Sequence, residues 1–302
     1  MTPKIFSINI PASTANLGPG FDSIGLALNR YLRLEVEVTG DEAIFIPKTE
    51  SLAGIATGAD NLIYQVAESV AKQFNLSLPG FRIKMSSDIP LSRGLGSSAS
   101  AIVGGVELAN QLLALNLSRK KKARIASIFE GHPDNAAASV YGGLVIGLHD
   151  ETQTEIIHTN QVDVELVALI PSYQLKTVEA RSLLPNVLVY RDAVKVSAIS
   201  NVLVAAMLTN QWELAGKLMQ QDLFHQPYRM KIVPELAKSI EHLAQLDAYG
   251  CALSGAGPTI LFYVPIGKAE SVKKDLSYYF ADYQIDILQV DTTGVQVEMK
   301  TF

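Results

Sequence analysis

The chain has 302 residues, 48% hydrophobic and 18% charged, which excludes an intrinsically disordered protein and leaves room for two packed domains of roughly 150 residues each. A net charge of −5 without an extended basic patch argues against a nucleic-acid partner. The single Cys251 excludes an internal disulfide framework, and neither a signal peptide nor an apolar run of about 18 residues is visible, so a cytoplasmic protein without a membrane span is expected.

Residues 11–22, Pro-Ala-Ser-Thr-Ala-Asn-Leu-Gly-Pro-Gly-Phe-Asp, follow a short strand and carry Asn16 and Asp22 across the Gly18-Pro19-Gly20 turn. An amide and a carboxylate on one rigid loop suit a small polar ligand, the carboxylate an ammonium group. The same two residues equally suit a turn in which Asn and Asp bond only the local backbone. Over 31–39, Leu32, Leu34, Val36 and Val38 alternate with Arg33, Glu35 and Glu37, the pattern of a half-buried strand. A helix is expected over 61–74, with Ile63, Val66, Ala67 and Val70 on one face. Phe81, Ile83 and Met85 then alternate as a strand that stops before Pro90.

The next stretch is Pro90, Leu91, Ser92, Arg93, Gly94, Leu95, Gly96, Ser97, Ser98, Ala99 and Ser100, leading into a helix expected over 97–115. A strand, a glycine turn and a helix N-terminus bring free N–H groups and the positive end of a helix dipole together, which suits phosphate. It is not a Walker loop, because G-x-x-x-x-G-K-[ST] occurs nowhere in the chain. Gly94 to Ala99 does satisfy G-x-G-x-x-A, but a dinucleotide fold needs an acid about 20 positions on, at the end of the next strand. The basic helix entry of Ser118 to Lys122 stands there instead, with Ser118 expected as N-cap of a helix to Phe129.

Glu130, His132, Asp134 and Asn135 follow, a dense polar cluster at the helix exit. Beside a nucleotide, a carboxylate here is expected to hold Mg²⁺, which takes one or two protein carboxylates plus phosphate oxygens. Zinc is not expected, since only one of the five histidines lies here and Cys251 stands alone. Gly142 to Gly147 reads as a return strand after a glycine turn.

The second half reads as a strand (164–170), helices (190–208, 212–222, 234–246), paired strands (250–254, 259–264), a helix (268–281) and a strand (285–290). Without the inserted helices this is β-α-β-β-α-β, the ferredoxin-like plan. No linker separates the halves, so two tightly packed domains, 1–158 and 159–302, with a cleft between them are expected. Arg181 and Arg229 offer planar forks for a carboxylate, and Ser254-Gly-Ala-Gly-Pro258 forms a second small-residue loop.

Together, Pro11–Asp22, the P-x-x-x-G-L-G-S-S-A run Pro90–Ala99 and Ser254–Pro258 resemble, in this order, the three motifs of the GHMP small-molecule kinase family. The resemblance covers nearly the whole chain. PASTANLGPGFD, EARSLLP and the Pro-Tyr-Arg ending at Arg229 are similar to the branch that phosphorylates L-homoserine. It implies a mixed α/β (α+β) fold, with a domain like domain 2 of ribosomal protein S5 ahead of the ferredoxin-like one, and commonly a homodimer. It also implies ATP and Mg²⁺ as cofactors. Pro90–Ser100 would then wrap the ATP phosphates, Asn61 would lie against adenine, and Ser98 with Glu130 would hold Mg²⁺. Asn16 and Asp22 would take the substrate ammonium, Arg181 and Arg229 its carboxylate, and His132, Asp134 and Asn135 would surround the reacting hydroxyl, Asp134 as the candidate base. Arg93 is a further candidate for neutralising phosphate charge. A relative acting on mevalonate or a sugar, and a non-enzymatic ligand-binding module of the same fold, remain as alternatives.

Overall fold

A computed structural model describes residues 5–40 and 42–300 of the chain. The first half runs β1 (Ile5–Ala15), β2 (Ile24–Val38), β3 (Ile44–Pro47), α1 (Leu62–Gln73), β4 (Phe81–Ser87), α2 (Ser97–Leu112), α3 (Arg119–Glu130), α4 (Asp134–Tyr141), β5 (Leu144–His149) and β6 (Thr154–Thr159). The second half runs β7 (Glu165–Ile170), α5 (Thr177–Ser182), α6 (Tyr190–Leu208), α7 (Trp212–Met219), α8 (Gln226–Arg229) and α9 (Pro234–His242). It continues through β8 (Gly250–Leu253), β9 (Ile260–Val264), α10 (Ala269–Tyr279), β10 (Gln284–Leu288) and β11 (Gln296–Met299).

The first sheet has the order β11-β1-β2-β4-β3, with β5 on the near end of β2 and β6 beyond it. The 15-residue β2 is long enough to serve both branches: Leu32–Val38 pairs with β4 and Ile24–Leu26 with β5. Its register with β1 shifts between Pro11 and Ala12, where proline has no N–H to give the ladder. The Pro11 carbonyl is taken instead by the hydroxyls of Ser100 and Ser139, at 3.1 and 2.9 Å, which tie α2 and α4 to the strand. The expected short first strand is therefore longer, and residues 11–15 belong to it rather than to a loop.

The second sheet is antiparallel in the order β10-β7-β9-β8, the 4-1-3-2 arrangement of the ferredoxin-like plan. Alternation along its strands feeds two cores. Leu166, Ala168, Leu261 and Tyr263 join the core of the first sheet together with Leu203, Met207 and Trp212 of α6 and α7. Val167, Leu169, Phe262 and Val264 face Leu236 of α9 and Val272 and Leu276 of α10. One continuous core thus locks the two sheets together, and the cleft lies along their junction.

Three boundaries differ from expectation. The helix begun at Trp212 ends at Met219, and the one begun at Pro234 ends at His242 with a 3₁₀ turn after it. The last strand pairs with β1, Phe6 opposite Met299, so the end of the chain returns to the first sheet rather than closing a domain that starts at 159. Edge strands of four residues such as β3 and β11 carry too little alternation to be read locally.

Candidate active site

The phosphate loop forms because Ile89 and Leu95 bury on either side of it while Ser92, Gly94 and Gly96 turn left-handed at φ +55°, +80° and +71°. At Gly94 a Cβ would fall 2.2 Å from the Ser254 carbonyl oxygen, and at Gly96 2.3 Å from Ser13 Oγ. These glycines therefore serve the packing of three loops as well as the turn. The lacing is explicit: Ser254 Oγ donates to the Gly94 carbonyl (2.6 Å), Leu175 N–H to Ser92 O (3.0 Å) and Gly255 N–H to Ala15 O (3.1 Å). Gly96, not a serine, is the N-cap of α2, and it supplies no side-chain cap. Among the described residues, no acceptor takes the N–H groups of Ser97, Ser98 and Ala99, so they point at the dipole's positive end toward an incoming ligand.

That end separates two cavities. On one side is a mainly apolar groove of about 310 Å³ walled by Leu52, Ile55, Leu62, Ile63 and Leu91. On the other is a polar cleft of about 230 Å³, and Ser92, Ser97 and Ser98 line both. A flat apolar base, a phosphate chain and a charged small molecule would follow one another along this path. Asn61 sits in the groove wall, but as the N-cap of α1: its Oδ1 accepts from Ile63 N–H (2.9 Å) and its Nδ2 donates to Ala56 O (2.7 Å). Ser100 is buried with its hydroxyl on Pro11 O, away from the cleft. Arg93 donates to the carbonyls of Ser172 and Tyr173 at 2.5 and 3.4 Å and so ties the phosphate loop to the second domain.

At the seam of the cleft, Glu130 ends α3, and Ser98 Oγ donates to its Oε2 at 3.3 Å. Burial and then the nearby Asp134 charge push the Glu130 carboxyl upward, while the His132 charge and the Ser98 hydrogen bond pull against them. His132 Nδ1 lies 2.5 Å from Asp134 Oδ1. Burial opposes its protonation, but the Asp134 carboxylate, aided by Asp22 and Glu130, pushes the imidazole up to about 9. Asp134 opens α4, a helix whose start the run of alanines concealed, and its Oδ1 also accepts from Asn135 N–H (2.6 Å). Asn135 Oδ1 accepts from Ser13 Oγ (2.9 Å), which leaves its Nδ2 for a ligand.

At the far end, Asn16 and Asp22 hold left-handed backbone at φ +77° and +53°. The Asn16 amide is spent on structure, accepting from Asp22 N–H (3.0 Å) and donating to Gly255 O (3.1 Å). Arg181 grips Asp22 with two bonds of 2.8 Å, closing the cleft mouth across 159 positions of sequence. Arg229 is 1% exposed, yet it lines the cleft; Nη1 donates to Gly255 O (2.9 Å), and Nη2 has no acceptor among the described residues. Burial, then the Arg181 charge, lowers it to about 10, so it stays a cation at neutral pH. The Phe21 ring lies 5.3 and 5.5 Å from the two guanidinium carbons. Phe21, Ser13, Lys176 and Thr177 were missed in the sequence: the first two sit inside a motif already read for other residues, the last two beside Arg181 without a pattern of their own.

A phosphate-binding helix end between a base-sized apolar groove and a cleft bearing both charges defines an ATP-dependent small-molecule phosphotransferase. Residues 61–143 match the GHMP kinases N terminal domain and residues 203–282 the GHMP kinases C terminal one. The chain belongs to the GHMP kinase family, on its homoserine kinase branch. It is 55% identical over 295 residues to the homoserine kinase of Bacillus velezensis (97% of this chain, 95% of the relative). It is 52% identical over 293 residues to that of Halalkalibacterium halodurans (97% and 94%). A solved homoserine kinase from Cytophaga hutchinsonii, 24% identical, shares the fold with a TM-score of 0.86 over 97% of both chains. No described helix is long and apolar enough to cross a membrane.

Proposed function

We propose that this protein transfers the γ-phosphoryl group of ATP to the side-chain hydroxyl of L-homoserine, making O-phospho-L-homoserine for threonine biosynthesis. The observation that carries this is the convergence of Asp22, Arg181 and Arg229 on one cleft whose other wall is the phosphate loop. An α-amino acid carries an ammonium and a carboxylate; mevalonate and sugars lack the first. The zwitterion exchanges into the Asp22–Arg181 ion pair, ammonium to Asp22 and carboxylate to Arg181 and the free Nη2 of Arg229.

Ser98 and Glu130 are hard oxygen donors 3.3 Å apart beside the phosphate loop, a set that suits Mg²⁺. Bound there, the ion would neutralise phosphate charge. The chain's own residues supply positioning, which a loose phosphoryl-transfer transition state chiefly needs. The N–H groups of Ser97, Ser98 and Ala99 hold the phosphates, and Asn135 Nδ2 donates to the hydroxyl oxygen and orients it. His132, charged up to about 9, adds a positive group where a Walker lysine is missing. Asp134 Oδ1 holds His132 and Asn135 N–H in place, a positioning role, while its Oδ2 carries no bond among the described residues. The buried free thiol of Cys251 fits a reducing, cytoplasmic setting.

A coupled ADP-release assay with homoserine, serine, threonine and mevalonate tests the proposal. Turnover with homoserine well above the others is expected, and preference for mevalonate would overturn it.

A further inference from the structure

The buried group nearest the substrate end with no part in the reaction above is His225. Its side chain is fully buried, and its ring stacks on Phe21 with centroids 5.4 Å apart. Two acceptors face Nε2: the Gly18 carbonyl at 3.0 Å and Asp222 Oδ2 at 3.3 Å. Asp222 is itself fixed, accepting from the N–H groups of Phe224, His225 and Gln226 at 2.7, 3.2 and 2.8 Å. The proton therefore sits on Nε2, and Nδ1 presents its lone pair to Arg229 Nη1 at 3.1 Å. Burial and the adjacent guanidinium hold the imidazole far below its usual range, consistent with a neutral acceptor.

We propose that His225 is a positioning residue that sets substrate specificity: it fixes the Arg229 guanidinium with Nη2 toward the substrate carboxylate and ties it, through Gly18, to the loop that carries Asp22. The ring thus fixes the spacing between the two charges of the amino acid. Three fixed bonds from Arg229, to His225 Nδ1, Gly255 O and Ala180 O, consume Nε and Nη1 and leave one nitrogen for recognition. A guanidinium without the His225 acceptor could swing about its Gly255 bond, and the carboxylate would lose a preoriented partner.

The inference rests on the homoserine reading, and the test separates the two. Steady-state constants are measured for the wild-type protein, His225→Met and His225→Asn, with L-homoserine and with 2-amino-1,4-butanediol, which keeps the ammonium and the reacting hydroxyl but lacks the carboxylate. His225→Met should lower kcat/KM for homoserine about 30-fold, mainly through KM. It should leave the KM for ATP near wild type and cost activity on the aminodiol only a few-fold, through the lost Gly18 bond. His225→Asn, whose Oδ1 stands where Nδ1 does and can accept from Arg229, should recover most of the loss. If the methionine variant does not fold, His225→Gln, whose amide reaches the Nε2 position and keeps the Gly18 bond but not the Arg229 acceptor, takes its place against Asn. An equal loss on both substrates, or an unchanged homoserine KM, overturns the positioning role. A wild-type protein inactive on homoserine overturns the reading and the inference with it.

Discussion

The two ends of the cleft are made of different material. In the proposed reading the ATP end binds through backbone: three open N–H groups at the start of α2, held by turns at Gly94 and Gly96 into which no Cβ fits. At the proposed amino-acid end the binding groups are side-chain charges, Asp22, Arg181 and Arg229, brought from three separate segments, with both guanidinium groups over Phe21. A backbone site depends on packing and fails as a unit when packing is disturbed. A side-chain site can lose one charge and keep the rest. Substitutions at the first end should therefore cost all activity, and those at the second the affinity for one substrate only.

Gly94→Ala probes the first half of that contrast and should have the largest effect. The new Cβ would overlap the Ser254 carbonyl at 2.2 Å and sit on left-handed backbone, so the three laced loops must part. Catalytic efficiency should fall about 10²-fold or more with both substrates, on the order of what misplacement by an ångström costs, and the melting temperature should drop as well. Retained activity would show that packing does not hold the phosphate site. Arg229→Ala comes next. Losing a buried, hydrogen-bonded partner of a carboxylate costs about 3 kcal/mol, roughly 10²-fold. That loss should fall on the KM for homoserine while the KM for ATP stays near wild type; a parallel rise in both would erase the contrast. Glu130→Gln tests the seam. The Mg²⁺ concentration for half-maximal activity should rise about tenfold or more. A magnesium titration unchanged by the substitution would remove Glu130 from the metal site.

The same contrast governs what could be read in the amino-acid sequence. The backbone end occupies one contiguous stretch, Pro90–Ser100, after a strand whose alternation is plain, so its chemistry is visible locally. The ferredoxin-like half is legible too, because strands such as Ile260–Val264 are continuous apolar runs and the helix Ala269–Tyr279 buries one face. The amino-acid end is not. Nothing in Thr-Val-Glu-Ala-Arg181 shows that its arginine will meet Asp22, and only family resemblance joined them. Asn16 illustrates a subtler limit: the residue type fits a ligand and a turn equally, and it both braces the turn through Asp22 N–H and Gly255 O and lines the cleft. Glycine has the same ambiguity, since Gly94 and Gly96 make room for protein as well as phosphate. The return of β11 to the first sheet depends on pairing with β1, and its own four residues do not announce it.

The smallest effect lies between the two ends, at the His132–Asp134 pair, and there pH separates two roles. Asp134 raises His132 to about 9, so the imidazolium is fully present at neutral pH and is lost as pH rises through that value. If that charge helps hold the phosphates, wild-type kcat/KM should be flat across neutral pH and fall above about 9. Asp134→Asn removes the carboxylate that keeps the proton on. Burial then pulls the imidazole down unopposed by that carboxylate, and the falling limb should move down with it. At a pH well below the limb found for each protein, His132 is charged in both, and the comparison isolates Asp134 itself. A general base would cost at least ~10²-fold in kcat there, whereas a residue that only holds His132 and Asn135 in place should cost a few-fold. Imidazole titration by NMR in both proteins ties the limb to His132. A limb that stays in place while the imidazole shifts would mean that the charge is a by-product of the ion pair and plays no part in transfer.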